Sequence, residues 1–285
     1  MGAVDEPVAD SWVAGKTALV TGATDGIGRE TALALARGGA TLYLHGRDPL
    51  RCSKAREDLV ATTGAERVHT VIADFGTLAG IRHCAREMQQ RTPVLDVLVN
   101  NAGVYMRRRQ LTPDGLEMTF AVNHIAPYLL TALLMPLLMH APSARVITVS
   151  SIAHSRAHVD FDNLQGEKSF NPYQAYALSK LGNVLFSLEL AERLAGTAVS
   201  SNTLHPGVIA TKLLQEGFPG SSGASVPRGA ATTVFLASSP LLDGVSGQYF
   251  VDSAPREPSP LARDRELRAR FWARSADLAG AEPRP

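Results

Sequence analysis

The sequence predicts a single α/β domain built on a doubly wound parallel sheet of about seven strands, with helices on both faces. Short apolar runs alternate with helical patterns from residue 17 to residue 251. Several of these runs are almost continuously apolar, as is typical of parallel strands covered on both faces. The regular alternation indicates right-handed β–α–β crossovers within one sheet. No internal repeat or low-complexity linker divides the 285 residues, so one domain is favoured.

The elements follow from periodicity and turn signals. The predicted strands are 17–21, 41–45, 68–73, 95–100, 144–150, 198–205 and 247–251. The predicted helices are 28–38, 49–62, 77–90, 115–140, 173–195 and 227–238. We assign residues 1–12 to a loose N-terminal arm, 13–252 to the domain and 253–285 to a C-terminal extension. In this extension Leu267, Phe271 and Leu278 share one face of a short docking helix, and we expect its arginines to face water.

The bulk composition is that of a soluble globular protein. Hydrophobic residues make up 45% of the chain and charged residues 19%, which suffices for a substantial core. A net charge of +1 gives no broad basic field, so we expect neither a nucleic-acid partner nor attraction to an anionic membrane. Cys52 and Cys84 form no metal or redox motif, which favours a reducing compartment without a disulfide.

Neither the N-terminus nor the most apolar run predicts a membrane segment. The stretch MGAVDEPVADSWVAGK lacks a basic segment followed by an apolar core, so we expect no signal peptide. The run IAPYLLTALLMPLLMHA is interrupted by Pro127 and Pro136 and falls short of a membrane span. The sequence therefore predicts a cytoplasmic protein.

A glycine-rich loop follows the first strand directly. In TGATDGIG, Gly22, Gly26 and Gly28 lie at the bend before a helix. A tight turn without Cβ atoms lets backbone N–H groups approach a pyrophosphate at the helix N-terminus. The spacing is G-x-x-x-G-x-G, and a plain glycine-rich turn is the alternative. The strand–turn–helix context favours a dinucleotide site of Rossmann type.

The end of the second strand bears on the choice of cofactor. A carboxylate about 20 residues past the glycines would hold the adenosine ribose of NAD. The stretch LHGRD has Gly46 at that position and Arg47 after it. A guanidinium pairs with a 2′-phosphate through two hydrogen bonds, so Arg47 points to NADP(H). The alternative is a solvated arginine before a helix that Asp48 and Pro49 already start.

Several separate motifs agree in order and spacing. Tyr176 and Lys180 lie one turn apart on a predicted helix, NNAG follows the fourth strand, VSS ends the fifth, and HPG follows the sixth. Together with the glycine loop they resemble the short-chain dehydrogenase/reductase family over about residues 14–252. VSSIAH, HPGVIATKL, GRD and FWARSADL further resemble its retinol-dehydrogenase-like branch, in which membrane anchoring is common.

The resemblance implies a catalytic tetrad of Asn123, Ser151, Tyr176 and Lys180. Either serine of VSS could be meant; the family spacing favours Ser151 and gives Ser150 a structural role. Asp74 would lie beside the adenine, while Val208 and Thr211 would reach the nicotinamide carboxamide. The implied cofactor-binding residues are Gly22, Thr24, Asp25, Gly26, Ile27, Gly28, Arg47, Asp74, Phe75, Asn101, Ala102, Gly103, Tyr176, Lys180, Pro206, Val208 and Thr211.

When a hydride is added to a carbonyl carbon, the oxygen becomes negatively charged and must be protonated. A tyrosine with a pKa of about 10 exchanges protons poorly near neutrality, so we expect Lys180 to lower the pKa of Tyr176. Ser151, after its strand, would steady the developing oxyanion. Asn123 reads either as a satisfied buried amide or, from the resemblance, as a water-holding link in a proton relay to Lys180.

The segment 213–227 reads as a mobile lid over an apolar substrate pocket. The candidate pocket residues are Tyr105, Ile152, His154, Tyr173, Leu213, Leu214 and Phe218. His154 and His158 are spaced like metal ligands but lack a third one, so no metal is expected.

The predicted function is NADPH-dependent reduction of the carbonyl of a moderately large apolar substrate, or oxidation of the matching alcohol. Its partner would be that small molecule, and the resemblance implies a homodimer or homotetramer that pairs through 115–140 and 173–195. One alternative is a non-redox step, elimination or cyclisation, by the same acid and base. Another is a cofactor-sensing or scaffold protein.

Overall fold

The computed structural model describes residues 12–281 and confirms the doubly wound sheet. Eight strands lie in the order β3-β2-β1-β4-β5-β6-β7-β8, and β1 to β7 are parallel. Their bounds are Thr17–Val20 (β1), Thr41–Gly46 (β2), Val68–Ile72 (β3), Val97–Asn100 (β4), Ala144–Val149 (β5), Val199–His205 (β6), Tyr249–Val251 (β7) and Ala254–Arg256 (β8).

The eighth strand corrects the predicted number of about seven. β8 runs antiparallel to β7 and is joined to it by Asp252 and Ser253, with φ values of 48° and 57°. Two left-handed residues form the tight hairpin turn that matches strand twist. The strand escapes sequence reasoning because it is three residues long and contains Pro255.

Helices cover both faces of the sheet. The helices are Gly26–Arg37 (α1), Pro49–Thr63 (α2), Leu78–Arg91 (α3), Met118–Phe120 (α4), Ala126–Met139 (α5), Pro172–Arg193 (α6), Lys212–Gly217 (α7), Val226–Ser238 (α8), Pro260–Arg263 (α9) and Arg265–Ala279 (α10). One core lies under α1, α2 and α8, and a second under α3, α5, α6 and α10. The carboxyl ends of β1 to β7 meet at one edge, where ligands bind in such sheets.

A π turn, Ala121–Ile125, joins α4 to α5, so the three segments form one helix. Within residues 12–281, this Met118–Met139 helix is the one segment long and apolar enough to span a membrane. Of its most apolar window, 78% is buried inside the domain, as is typical of a core helix.

The N-terminal arm and the C-terminal extension flank the predicted domain. The predicted arm lies outside the described residues except for Trp12, whose ring centroid is 3.5 Å from Lys16 Nζ and 3.6 Å from the Arg145 guanidinium carbon. The extension forms α9 and α10, and α10 packs on α6 with Phe271 1% exposed.

The expectation that the arginines of this helix face water is wrong for Arg268. This side chain is buried, and its guanidinium lies 2.6 Å from Glu192 Oε2 and 3.6 Å from Glu189 Oε2. Two carboxylates at the end of α6 compensate the buried charge. The boundaries of the domain at 13 and 252 stay predictions.

Candidate active site

The four residues of the predicted tetrad converge at the carboxyl edge of the sheet. Tyr176 and Lys180 lie on α6, Ser151 directly follows β5, and Asn123 lies in the π turn. Gly103, after β4, lies between two of them. A Cβ atom at this glycine would lie 3.4 Å from Asn123 Oδ1 and 3.6 Å from Lys180 Nζ. Residues from four separate elements therefore form one cluster.

Asn123 is fully buried and its amide is fixed on two sides. Its Oδ1 accepts a hydrogen bond from Val104 N–H at 2.7 Å, and its Nδ2 donates to the Val104 carbonyl and to Ser179 Oγ, both at 3.0 Å. A π turn is a rare helical irregularity that often occurs at functional sites. The amide thus connects the loop after β4 with α6.

The two serines of VSS have different partners. Ser150 Oγ donates to the backbone carbonyl of Lys180 at 2.7 Å, which is the structural bond expected of it. Ser151 is half-buried, its Oγ accepts from Ala153 N–H at 3.2 Å, and its side chain is hydrogen-bonded to the Tyr176 phenol. Ser151 is therefore the serine that faces the tyrosine.

We expected Lys180 to lower the pKa of Tyr176, but in the structure this pKa is raised. Burial raises the pKa of Tyr176 to about 12, against a lowering by the Ser151 hydrogen bond. Lys180 Nζ lies 5.8 Å from the Tyr176 ring centroid and donates to the Val149 carbonyl at 3.0 Å. Burial also lowers the pKa of Lys180 to about 8. Desolvation is the largest cause of the shift in the tyrosine pKa, and the ammonium is directed at a backbone oxygen instead of the phenol.

The glycine loop has the shape that a dinucleotide cradle needs. Gly22 and Gly26 have φ values of 65° and 54°, in the left-handed region that favours glycine. A Cβ on Gly28 would lie 2.3 Å from the Gly22 carbonyl oxygen and 2.4 Å from Asn101 Nδ2. Asn101 Nδ2 also donates to the Thr21 carbonyl at 2.8 Å. These close approaches fit the N-terminus of α1 for a pyrophosphate, the role predicted for the loop.

The predicted adenine side of the site is formed by the end of β3. Asp74 is exposed, and its Oδ1 accepts from Gly76 N–H at 2.9 Å. Phe75 is 5% exposed and stacks on His45, with ring centroids 3.9 Å apart. Its side chain therefore belongs to the core, and only its backbone is available to a ligand.

His45 is a residue of this region that sequence reasoning missed. Its Nδ1 accepts from Gly22 N–H at 3.3 Å and its Nε2 lies 3.0 Å from the Ala73 carbonyl, so it ties the glycine loop to the ends of β2 and β3. Burial lowers the pKa of His45 to about 4. A histidine in the otherwise apolar run TLYLH was the available signal.

Because two of its histidines are buried, we expect the protein to lose stability in acid. Burial lowers the pKa of both His45 and His124 to about 4, whereas an unfolded histidine titrates near 6.5. Between these values the unfolded chain binds more protons, so the free energy of unfolding falls as pH falls from about 6.5 to about 4. We expect a loss of roughly a few kcal/mol, measured by urea unfolding across this range. His45→Gln should make the dependence shallower, whereas His83→Gln, at an exposed position, should not.

The end of β2 has no space for an acidic side chain. A Cβ on Gly46 would lie 2.6 Å from Thr24 Cγ2 and 2.7 Å from Cys52 Sγ. Arg47 is exposed beside it, and within residues 12–281 no hydrogen bond or ion pair is formed by its guanidinium. A side chain at 46 would therefore have to displace Thr24 and Cys52, while the Arg47 cation is unpaired within the described residues.

The lid predicted at 213–227 begins with a short helix, α7, and closes on the tyrosine. The Phe218 ring centroid lies 5.1 Å from that of Tyr105, 6.1 Å from that of Tyr176 and 6.2 Å from that of Tyr173. Leu213 and Leu214 are half-buried on α7. Three of the predicted pocket residues, Tyr105, Tyr173 and Phe218, thus lie together near the ring of Tyr176.

Two polar contacts that the sequence did not reveal hold this lid. Lys212 Nζ lies 2.7 Å from Asp25 Oδ2 in the glycine loop, and Arg107 Nε donates to the Glu216 carbonyl at 2.7 Å. Thr211 caps α7 through its hydroxyl and faces Gly26. Pro206 is half-buried, while Val208 is 49% exposed at the end of β6.

A groove of about 340 Å³ lies beside the turn that follows Ser151. Its walls are the turn after β5, the β7–β8 hairpin and the start of the extension; the lining residues are Ile152, His154, Ser155, Tyr249, Val251, Arg256, Glu257, Pro258 and Ser259. Ile152 is 53% exposed, whereas His154 is 2% exposed. Of these two predicted pocket residues, Ile152 is the one freely open to a ligand.

Comparisons with known proteins agree with this geometry. The sequence profile of the short chain dehydrogenase family matches residues 16–221. Human retinol dehydrogenase 13 is 40% identical over 285 residues, which covers 95% of this chain and 86% of that protein. Mouse polyprenol dehydrogenase is 40% identical over 283 residues, covering 94% and 84%.

A solved structure supports the same assignment. An uncharacterized protein from Mycobacterium paratuberculosis has a TM-score of 0.79 at 32% identity, covering 94% of this chain and 95% of that one. The resemblance of the retinol-dehydrogenase-like motifs is confirmed by the retinol dehydrogenases among the relatives. The profile, the relatives and the fold together establish that this chain belongs to the short-chain dehydrogenase family of oxidoreductases, which bind nicotinamide cofactors.

Proposed function

We propose that the protein is an NADPH-dependent oxidoreductase that reduces the carbonyl of a moderately large apolar substrate, or oxidises the matching alcohol. The observation that carries this proposal is the convergence of Tyr176, Ser151, Lys180 and Asn123 beside a glycine cradle. An acid, an oxyanion donor and a buried cation are the groups that carbonyl reduction requires.

Each side chain has a distinct role in the proposed mechanism. A bound nicotinamide supplies the hydride for reduction, or accepts it for oxidation. Ser151 Oγ holds the substrate oxygen, and the Tyr176 hydroxyl gives that oxygen its proton. Lys180 contributes a positive charge close to the phenol as it loses the proton. Asn123, bonded to Val104 and Ser179, keeps the loop after β4 and α6 in register around this charge.

The phenol of Tyr176 and the amine of Lys180 are both mainly protonated near neutral pH. With a pKa of about 12 the phenol is protonated and ready to donate. The Lys180 ammonium, whose pKa is about 8, is still largely charged at pH 7. In reduction the phenol gives its proton to the substrate oxygen, and in oxidation the same phenol oxygen takes one up.

The proposed substrate has a moderately large apolar part and an aldehyde or ketone carbonyl group. Phe218 of the lid and Tyr105 after β4 place aromatic rings next to that of Tyr176. Two relatives are named for retinol and polyprenol, which are apolar alcohols. Retinal-like or polyprenal-like aldehydes are therefore the first class to test.

NADP(H) is the proposed cofactor because of two neighbouring residues. At Gly46, a carboxylate that could hold the ribose of NAD would have to displace Thr24 and Cys52. The guanidinium of Arg47 is unpaired among residues 12–281 and can receive a 2′-phosphate. The proposed cofactor contacts remain those predicted, with the Phe75 contribution limited to its backbone.

The comparisons give the predicted cytoplasmic location no support, because retinol and polyprenol are lipids that partition into membranes. The buried Met118–Met139 helix is no anchor in this fold. A homodimer or homotetramer stays a prediction, and pairing through α6 would have to include α10, which packs there.

The direct test is NADPH consumption by purified protein with retinal, polyprenal, aromatic ketones and quinones. We expect consumption with the apolar aldehydes that disappears in Tyr176→Phe. Product formed without a change in nicotinamide absorbance would favour the non-redox alternative. Tight NADPH binding without any Tyr176-dependent turnover of these compounds would contradict the proposal.

A further inference from the structure

The buried histidine three residues after Ser151 connects that serine to the C-terminal extension. His154 Nδ1 lies 2.7 Å from the Ser151 carbonyl oxygen, and Nε2 accepts from the backbone N–H of Ser259 at 3.1 Å. A carbonyl can only accept and an N–H can only donate, so Nδ1 carries the ring proton and Nε2 does not. His154 is 2% exposed, and its ring packs on Tyr249 with centroids 5.0 Å apart.

The contact to the Ser151 carbonyl fixes the turn that presents the Ser151 hydroxyl. The same carbonyl also accepts the backbone N–H of His154 at 3.1 Å, and Ser151 Oγ accepts from Ala153 at 3.2 Å. The His154 ring therefore fixes the backbone of Ser151, while the Ser151 hydroxyl is hydrogen-bonded to Tyr176. A shift of the extension at Ser259 would be passed directly to this turn.

A second buried histidine, His124, follows Asn123 in the chain and contacts the extension. His124 is 1% exposed, and its Nε2 lies 2.7 Å from Ser275 Oγ on α10. Its ring centroid is 5.1 Å from that of Phe271, also on α10. A Cβ on Gly182 would lie 2.7 Å from the His124 ring, so α6 approaches it closely through a glycine. Through Ser275 and Phe271 the extension thus packs against the π turn that contains Asn123.

We propose that the C-terminal extension positions the active site, with His154 and His124 as the positioning residues for Ser151 and Asn123. The inference rests on the proposed function, because it assigns these residues a role in turnover. Neither histidine needs to touch the substrate. His154 bonds the Ser151 carbonyl on one side and Ser259 on the other, whereas His124 adjoins Asn123 in the chain and bonds Ser275 of the extension. Supporting contacts of this kind fix catalytic geometry.

Ser259 offers a substitution that breaks the contact between the extension and His154. Its φ of −56° and ψ of 152° suit proline, but the proline ring would replace the N–H with a carbon that pushes against His154 Nε2. Within residues 12–281 the Ser259 Oγ has no hydrogen-bond partner, so Ser259→Ala is the matched control. We expect Ser259→Pro to lower kcat about tenfold. The KM for NADPH should stay close to that of Ser259→Ala.

The ring itself can be tested by graded replacement. Asparagine at 154 can place an amide donor where Nδ1 lies, whereas leucine cannot, and neither reaches Ser259. His154→Asn should therefore recover part of the kcat lost in His154→Leu. Ser275→Ala, which removes the partner of His124, should lower kcat in the same way. The ring-nitrogen NMR signal of His154 Nε2 should shift in Ser259→Pro and not in Ser259→Ala.

Two results separate the failure of this inference from the failure of the proposed function. Equal kcat for Ser259→Pro and Ser259→Ala, with Tyr176-dependent turnover intact, would overturn the inference alone. A wild-type protein without Tyr176-dependent turnover would overturn the proposed function, and this inference with it.

Discussion

Replacing Tyr176 by phenylalanine should abolish turnover while the protein still folds and binds NADPH. The hydroxyl is the group proposed to donate the proton, and general acid catalysis contributes roughly a thousandfold. The ring itself packs against Tyr105 and Phe218 and stays in Tyr176→Phe, so the lid contacts and the core survive. We expect kcat to fall about a thousandfold in a stopped NADPH assay with the best aldehyde.

The control for this substitution lies on the same helix. Tyr173 is half-buried three residues earlier and also faces Phe218, but it has no lysine one turn on. Tyr173→Phe should retain most of kcat and change mainly the KM for the aldehyde. NADPH affinity, followed by fluorescence titration, should be the same in both variants. Comparable kcat for Tyr176→Phe and the wild type would remove Tyr176 from the chemistry.

Much of the fold could be predicted because local signals agreed with tertiary packing. The run of apolar strands, and caps such as Asp48 before Pro49, gave element bounds that the structure matches within three residues. β8 and α9 were missed, since elements of three and four residues bury too little to leave a pattern. The short helix α7 was read only as part of a lid.

The site was less fully predictable, and the reason is physical. Motif spacing identified Tyr176, Lys180 and Ser151, but their electrostatics depend on burial that no motif encodes. The expected depression of the tyrosine pKa therefore gave way to a rise caused by desolvation. The polar contacts of His45, His154 and Lys212 join residues 20 to more than 180 positions apart only through the fold, so spacing alone could not reveal them.

The arginine after β2 should decide the preference for NADPH over NADH. Arg47 is exposed and unpaired within the described chain, and its side chain follows the strand that ends at the predicted ribose site. Hydrogen bonds from a guanidinium to a phosphate are worth about 2 kcal/mol, which corresponds to roughly thirtyfold in affinity. For Arg47→Gln we expect a KM for NADPH about thirtyfold higher, with the KM for NADH almost unchanged.

The matched control is Arg67→Gln. Arg67 is equally exposed but lies before β3, at the opposite edge of the sheet from the cofactor. If Arg47→Gln raised both KM values equally, the arginine would act on binding in general rather than on the 2′-phosphate. Preference for NADH should not be obtained simply by Gly46→Asp, because a Cβ at 46 would lie 2.6 Å from Thr24 and 2.7 Å from Cys52. Selectivity at this strand end thus rests on two linked features, a cation at 47 and a position at 46 too crowded for the acid that NAD requires.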